Sequence, residues 1–213
     1  MLAWWITGRL AAHSEDSEAQ EACVQVLGQM LQARDHSTGD HTDRVTELAL
    51  RMAGALAWSP AQTQALRWGA LLHDIGKLTL PGTLLTKPGQ LAPSERALLR
   101  SHVERGLSLA TGLEFLPDAA LQGIRDHHER WDGHGYPAGR VAGEISVAGR
   151  IIALCDVYDA LTSARPYKAA WTAQEALAKI SAGAGRHFDP VLTPVFVSLL
   201  QHQNPQPECR APR

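Results

Sequence analysis

Residues 59–77 read SPAQTQALRWGALLHDIGK. Ser59 stands at an N-cap, Pro60 falls at the first helical position, and Gln62 completes a capping box. The helix so opened carries Leu66, Gly69, Ala70 and His73 on one face. It is predicted to end near Gly76, a residue type that accepts a left-handed helix end. An apolar stripe that runs out into His73-Asp74 sets the reading of the chain: a helix packed on others, delivering polar side chains to the interior.

The same 3.6-residue period extends in both directions. Upstream, Cys23, Leu27, Met30 and Leu31 form one stripe, and Val45, Leu48, Ala49, Met52 and Leu56 the next. Downstream, Pro81 to Gly89 is expected as a loop, and Pro93 opens a helix bearing Leu98, Leu99 and His102, although Ala92 is a poor cap. Pro117 precedes a helix with Leu121, Ile124 and His128 in register. A glycine-rich loop covers Asp132 to Gly143, Val147 to about Leu161 is helical, and Thr172 and Asp189 start the last two helices. No strand-type alternation competes, so the expected fold is an all-α bundle.

Composition narrows the classes. The 213 residues are 45% hydrophobic and 20% charged, with a net charge of -2, which excludes a collagen, a coiled-coil rod and wholesale disorder. No basic excess is available for a long nucleic-acid backbone. Three cysteines without paired spacing suit a reducing compartment. The apolar opening Met1–Ile6 is too short to span a bilayer, so the expected location is cytoplasmic.

Histidine and aspartate recur on the apolar stripes. His41 lies four residues before Val45, His102 four after Leu98, His127 and His128 three and four after Ile124, and Asp156 four after Ile152. A single histidine on an apolar face is ordinarily a hydrogen-bonded core residue. Five histidines and two aspartates on several helices need a common partner, because buried polar groups must be satisfied. A metal cluster in a helical bundle satisfies them together. In His73-Asp74, the carboxylate has two oxygens and can join two ions, whereas an imidazole cannot.

Three longer strings sharpen this. HDIGKLTLPGTLLTKPGQL (73–91), HHERWDGHGYP (127–137) and DVYDALTSARPYK (156–168), in this order, resemble the HD-GYP family of metal-dependent cyclic di-GMP phosphodiesterases. The likeness covers about residues 30–200. It implies an HD-type helical bundle at 30–202; the upstream stripe makes 1–29 a linker or capping helix, and the tail 203–213, with three prolines, is expected to be disordered.

It further implies two divalent ions, iron or manganese, in the bundle core. One would be held by His41, His73, Asp74 and Asp156, and the other by Asp74, His102, His127 and His128. Asp74 and Lys77 would serve catalysis, with a metal-bridging hydroxide attacking the phosphodiester. Lys77, Tyr136, Asp159, Arg165 and Lys168 would contact the dinucleotide, Glu129 would orient a ligand histidine, and Cys155 would be core. The product would be pGpG, or GMP if hydrolysis continues. Ser37 replaces the glutamate that serves a third metal in some relatives, so two ions are expected. Alternatives are another cyclic dinucleotide such as cyclic GMP-AMP, or a weakly catalytic cyclic di-GMP receptor. The expected partners are a diguanylate-cyclase (GGDEF) domain at the Gly133–Pro137 loop and a second copy of the chain.

Overall fold

A computed structural model describes residues 2–34, 41–164 and 169–201, with side chains described from Asp16 onward. The α-helices are α1 (Leu2–Arg34), α2 (His41–Ala55), α3 (Pro60–Leu72), α4 (Gly82–Leu85), α5 (Pro93–Arg100), α6 (His102–Thr111), α7 (Asp118–Asp126), α8 (Val147–Thr162), α9 (Ala173–Ala182) and α10 (Leu192–Gln201). Two 3-10 turns, Ile75–Thr79 and Ala142–Glu144, complete the set. Among the described residues there is no β-strand, only the isolated bridges Asp132–Val141 and Ala184–Phe188. None of the helices, over the same residues, is long and apolar enough to cross a membrane.

Local chemistry starts these helices where the sequence predicts. Ser59 Oγ accepts from Gln62 N at 3.4 Å while Gln62 Oε1 accepts from Ser59 N at 3.0 Å. Thr172 and Glu175 exchange the same pair of bonds at the start of α9. Asp189 Oδ1 accepts from Val191 N and Leu192 N ahead of α10. Ala92 has no capping group, and Glu95 Oε2 takes its N–H at 2.8 Å, so only half a box forms.

Helices α2, α3, α7 and α8 enclose the interior. Val45, Met52, Leu66, Ile151, Ile152 and Phe196 form its larger apolar cluster. Leu72, Ile75, Ala120 and Ile124 form a second, with Val24 of α1. Burial on this scale, at roughly 25 cal/mol per Å2 of apolar area, is the main favourable term in folding.

Four sequence expectations change, the first being that the stretch from Pro81 to Gly89, expected as a loop, holds the one-turn helix α4. On α1 the inward face is Val24, Leu27 and Leu31, while Met30 is 54% exposed, because one residue from Leu31 turns a side chain by about 100°. The helix expected from Pro93 through His102 breaks at Ser101. No residue of α5 is buried, whereas His102 and Val103 are; the break lets α5 stay outside while α6 turns inward. Gly76 does not end a helix with a positive φ. It lies within the 3-10 turn, where a Cβ would come within 2.5 Å of Gly106 N and closer still to His102 O. The glycine is needed for backbone approach between the turn and α6.

Candidate metal centre

The elements deliver their polar residues to one buried place. His73 follows the last residue of α3, His102 begins α6, and His127 follows α7. In each, the ring Nδ1 donates to the carbonyl three residues back: Ala70 at 2.6 Å, Leu99 at 2.7 Å and Ile124 at 2.8 Å. Carbonyls near helix ends lack intrahelical donors, so these bonds satisfy both groups. With Nδ1–H committed, each ring turns its Nε2 into the cavity.

Those nitrogens meet a carboxylate. Asp74 Oδ1 is 3.1 Å from His102 Nε2 and 4.0 Å from His127 Nε2, and Asp74 Oδ2 is 3.5 Å from His73 Nε2. The Nε2 atoms of His102 and His127 face each other at 3.4 Å. His73 Nε2 is buried without a hydrogen-bond partner. Donor atoms of Asp74, His102, His127 and His128 all lie within 4.8 Å of one another, as do those of His41, His73 and Asp74. Asp74 is common to both groups.

Electrostatics make the cavity electron-rich. Burial pushes His73 and His127 down and takes His128 to about 4, so these rings are neutral near pH 7. Burial also works against ionised Asp74, but Lys77 and the nearby imidazoles outweigh it and hold the carboxyl well below its usual range. Lys77 Nζ donates to Asp74 Oδ2 at 2.6 Å. A set of imidazole and carboxylate acceptors with an orphaned ring nitrogen fits divalent cations, and no thiolate takes part. Cys155 is fully buried, and burial raises its thiol.

His41 is built differently. Asp156 Oδ1 is 3.3 Å from its Nε2, and Asp159 Oδ2 accepts from its Nδ1 at 2.6 Å. Burial opposes a charge on this ring, but the two carboxylates prevail and raise it to about 9. One turn of α8 thus places two aspartates on the two nitrogens of one imidazole. Asp159 was expected at the substrate rim; it is 3% exposed and bonded to His41 and to Arg44, whose Nη2 donates to Asp159 Oδ2 at 3.0 Å. Burial favours the protonated acid, yet His41 and Arg44 hold Asp159 at about 2. Sequence reasoning missed Arg44, whose signal was its place one turn after His41 on the same helix.

Tyr136 and Lys77 line the open part of the centre, a cavity of about 450 Å3 that also takes in His41, His102, His128 and Asp156. Tyr136 stacks on His128, with centroids 4.7 Å apart and planes at 29°. Its loop is fastened by Tyr136 N donating to His128 O at 3.2 Å. Glu129, expected to orient a histidine, instead accepts from Ala138 N at 2.7 Å and Arg140 N at 3.0 Å. A buried carboxylate with backbone N–H partners anchors the loop. Arg165, Lys168 and Ser37 lie outside the described residues.

A fold of stacked helices with a histidine–aspartate cluster at its centre defines the HD class, and the HD domain family model matches residues 25–192. The chain belongs to that family. It is 39% identical over 183 residues to the cyclic di-GMP phosphodiesterase response regulator RpfG of Xanthomonas campestris, covering 85% of this chain and 48% of the relative. It is 35% identical over 186 residues to 3'3'-cGAMP-specific phosphodiesterase 2 of Vibrio cholerae, covering 87% and 35%. The crystal structure of a cyclic GMP-AMP-specific phosphodiesterase of Vibrio cholerae, V-cGAP3, shares the fold with a TM-score of 0.65 at 24% identity, over 85% of this chain and 49% of that one. The chain spans less than half the length of the curated relatives it matches.

Proposed function

We propose that this chain is a metal-dependent phosphodiesterase of the HD-GYP type that opens cyclic di-GMP to linear pGpG. The observation that carries the reading is the pair of imidazole Nε2 atoms facing each other 3.4 Å apart beside Asp74, with the unpartnered His73 Nε2 on the same carboxylate. Two divalent cations, iron or manganese by the nitrogen and oxygen donor set, would be held by His41, His73, Asp74 and Asp156 and by Asp74, His102, His127 and His128. Bound there, they supply Lewis acidity toward water and phosphoryl oxygens.

The chain's own groups do the rest. Backbone carbonyls lock three rings in the tautomer that presents Nε2. Asp159 and Arg44 hold His41 from the other side. Lys77 brings a cationic donor to Asp74 at the cavity wall, where an anionic phosphodiester needs one. Tyr136, backed by His128, narrows the opening around a bound substrate. Arg165 and Lys168 are assigned to the dinucleotide phosphates or base edges. The loop tip, where the His134 side chain is 83% exposed, is the surface assigned to a diguanylate-cyclase domain.

The test is product analysis. Protein loaded with manganese, or anaerobically with ferrous iron, is incubated with cyclic di-GMP and separately with cyclic GMP-AMP, and products are resolved by anion exchange. Metal-dependent appearance of pGpG, abolished by a chelator, is expected. Cleavage of cyclic GMP-AMP alone moves the substrate to the second reading, which the similarity to the Vibrio cholerae enzyme favours. Tight binding of cyclic di-GMP without turnover makes the domain a receptor.

A further inference from the structure

A second cavity, of about 570 Å3, adjoins the metal centre and is lined by Arg96, Arg100, Ser101, Glu104, Tyr136 and Pro137. The break between α5 and α6 sets the two cavities side by side. Leu99 and His102 face the metal cavity, and their neighbours Arg100 and Ser101 face this groove. Tyr136 belongs to both walls. The Arg100 guanidinium lies over the Tyr136 ring, 4.9 Å from its centroid.

The polar groups here are not used up by the fold. Arg96, Arg100 and Glu104 are exposed. Among the described residues, the Arg96 and Glu104 side chains have no hydrogen-bonded or ionic partner. A free carboxylate lining the same groove as two guanidiniums makes a mismatched anion site, since the carboxylate repels phosphate. It suits a group that offers donors on one edge and acceptors on another.

Guanine is such a group. Its N1–H and N2–H2 donate to a carboxylate, while O6 and N7 accept from a guanidinium. Adenine has an acceptor at N1 and an amino donor in place of O6, and so fails both contacts. We propose that this groove is a guanine-reading subsite, which takes one base of a cyclic dinucleotide whose scissile phosphate lies in the metal cavity. The proposal rests on the phosphodiesterase reading above and adds to it the residues that choose the base.

The experiment compares kcat/KM for cyclic di-GMP and cyclic di-AMP in the metal-loaded wild type, Glu104→Gln and Arg96→Ala. Both substituted positions are on the surface, and metal content verifies each preparation. The wild type should prefer cyclic di-GMP. Glu104→Gln keeps one acceptor and sets an amide N–H2 against the base donors, so the preference should fall roughly tenfold. Arg96→Ala should reduce it as well, in both cases chiefly through KM. A wild type that cleaves the two equally, or variants that keep the wild-type preference, would overturn the subsite while leaving the phosphodiesterase reading intact. A wild type that cleaves bis(p-nitrophenyl) phosphate but neither cyclic di-GMP, cyclic GMP-AMP nor cyclic di-AMP would sink the subsite and the cyclic-dinucleotide reading together.

Discussion

Replacing Gly76 by alanine should damage stability and metal binding together, because this glycine holds the 3-10 turn against α6. A Cβ at this position would lie 2.5 Å from Gly106 N and 2.8 Å from His102 C, with His102 O nearer still. Ordinary Cβ contacts begin near 3.4 Å, so relief at Gly106 alone requires the segments to part by about 0.9 Å. The obstacles are backbone atoms and cannot rotate away. Overpacking of this kind costs about 3 kcal/mol, or roughly 6–12 °C in Tm for a domain of this size. The same displacement acts on the centre, since Asp74, at the N-terminal edge of the turn, sits 3.1 Å from His102 on α6. Differential scanning calorimetry and elemental analysis of Gly76→Ala read the two effects. A Tm within about 2 °C of wild type, with full metal content, would refute the packing argument.

Asp159→Asn removes the charge that holds His41, and metal affinity measured by competition with a chelator should fall about 10–100-fold; an unchanged affinity would return Asp159 to the substrate rim. Glu129→Gln leaves one loop N–H facing an amide donor, so stability should drop by about 1–3 kcal/mol and KM should rise, with metal content retained. Normal KM and Tm in that variant would remove Glu129 as the loop anchor. Glu21 accepts from Trp68 Nε1 at 2.9 Å and pairs with Arg67, tying α1 to α3. Burial works against its charge, but these bonds prevail and lower it from 4.5 to about 2. A depressed carboxyl stabilises above its unfolded pKa and loses that contribution as pH falls, so wild type should exceed Glu21→Gln by about 1–2 kcal/mol near pH 7, discounted for partial exposure. The gap should close between pH 4.5 and 2. A gap that persists at pH 2 contradicts the assignment.

Much of the fold was legible because helices announce themselves locally. Capping at Ser59 and Thr172 and the apolar periods of α2, α3 and α8 need only near neighbours in sequence. The histidines and aspartates stood out for the same reason: they occupy stripe positions where apolar residues belong. What sequence could not carry depends on contacts far apart in the chain. The Nδ1 anchors depend on where helices stop, and the stop at Ser101 has no glycine or proline to mark it. Gly76 reads as a helix terminator until α6, some thirty residues on, is brought against it. Glu129 adjoins two histidines in sequence, yet its carboxylate finds Ala138 and Arg140 N–H groups because the loop folds back. Met30 could be told from Val24 only by knowing which face of α1 meets α3.

On the reading proposed above, the histidine–aspartate cluster binds divalent cations through Asp74. The most direct test of that reading is elemental analysis of purified protein after manganese or anaerobic iron loading and desalting, for wild type and Asp74→Ala side by side. Close to two ions per chain are expected in the wild type, with loss of both in a folded Asp74→Ala. A wild type that retains no metal, or an Asp74→Ala protein that keeps two ions, would contradict it.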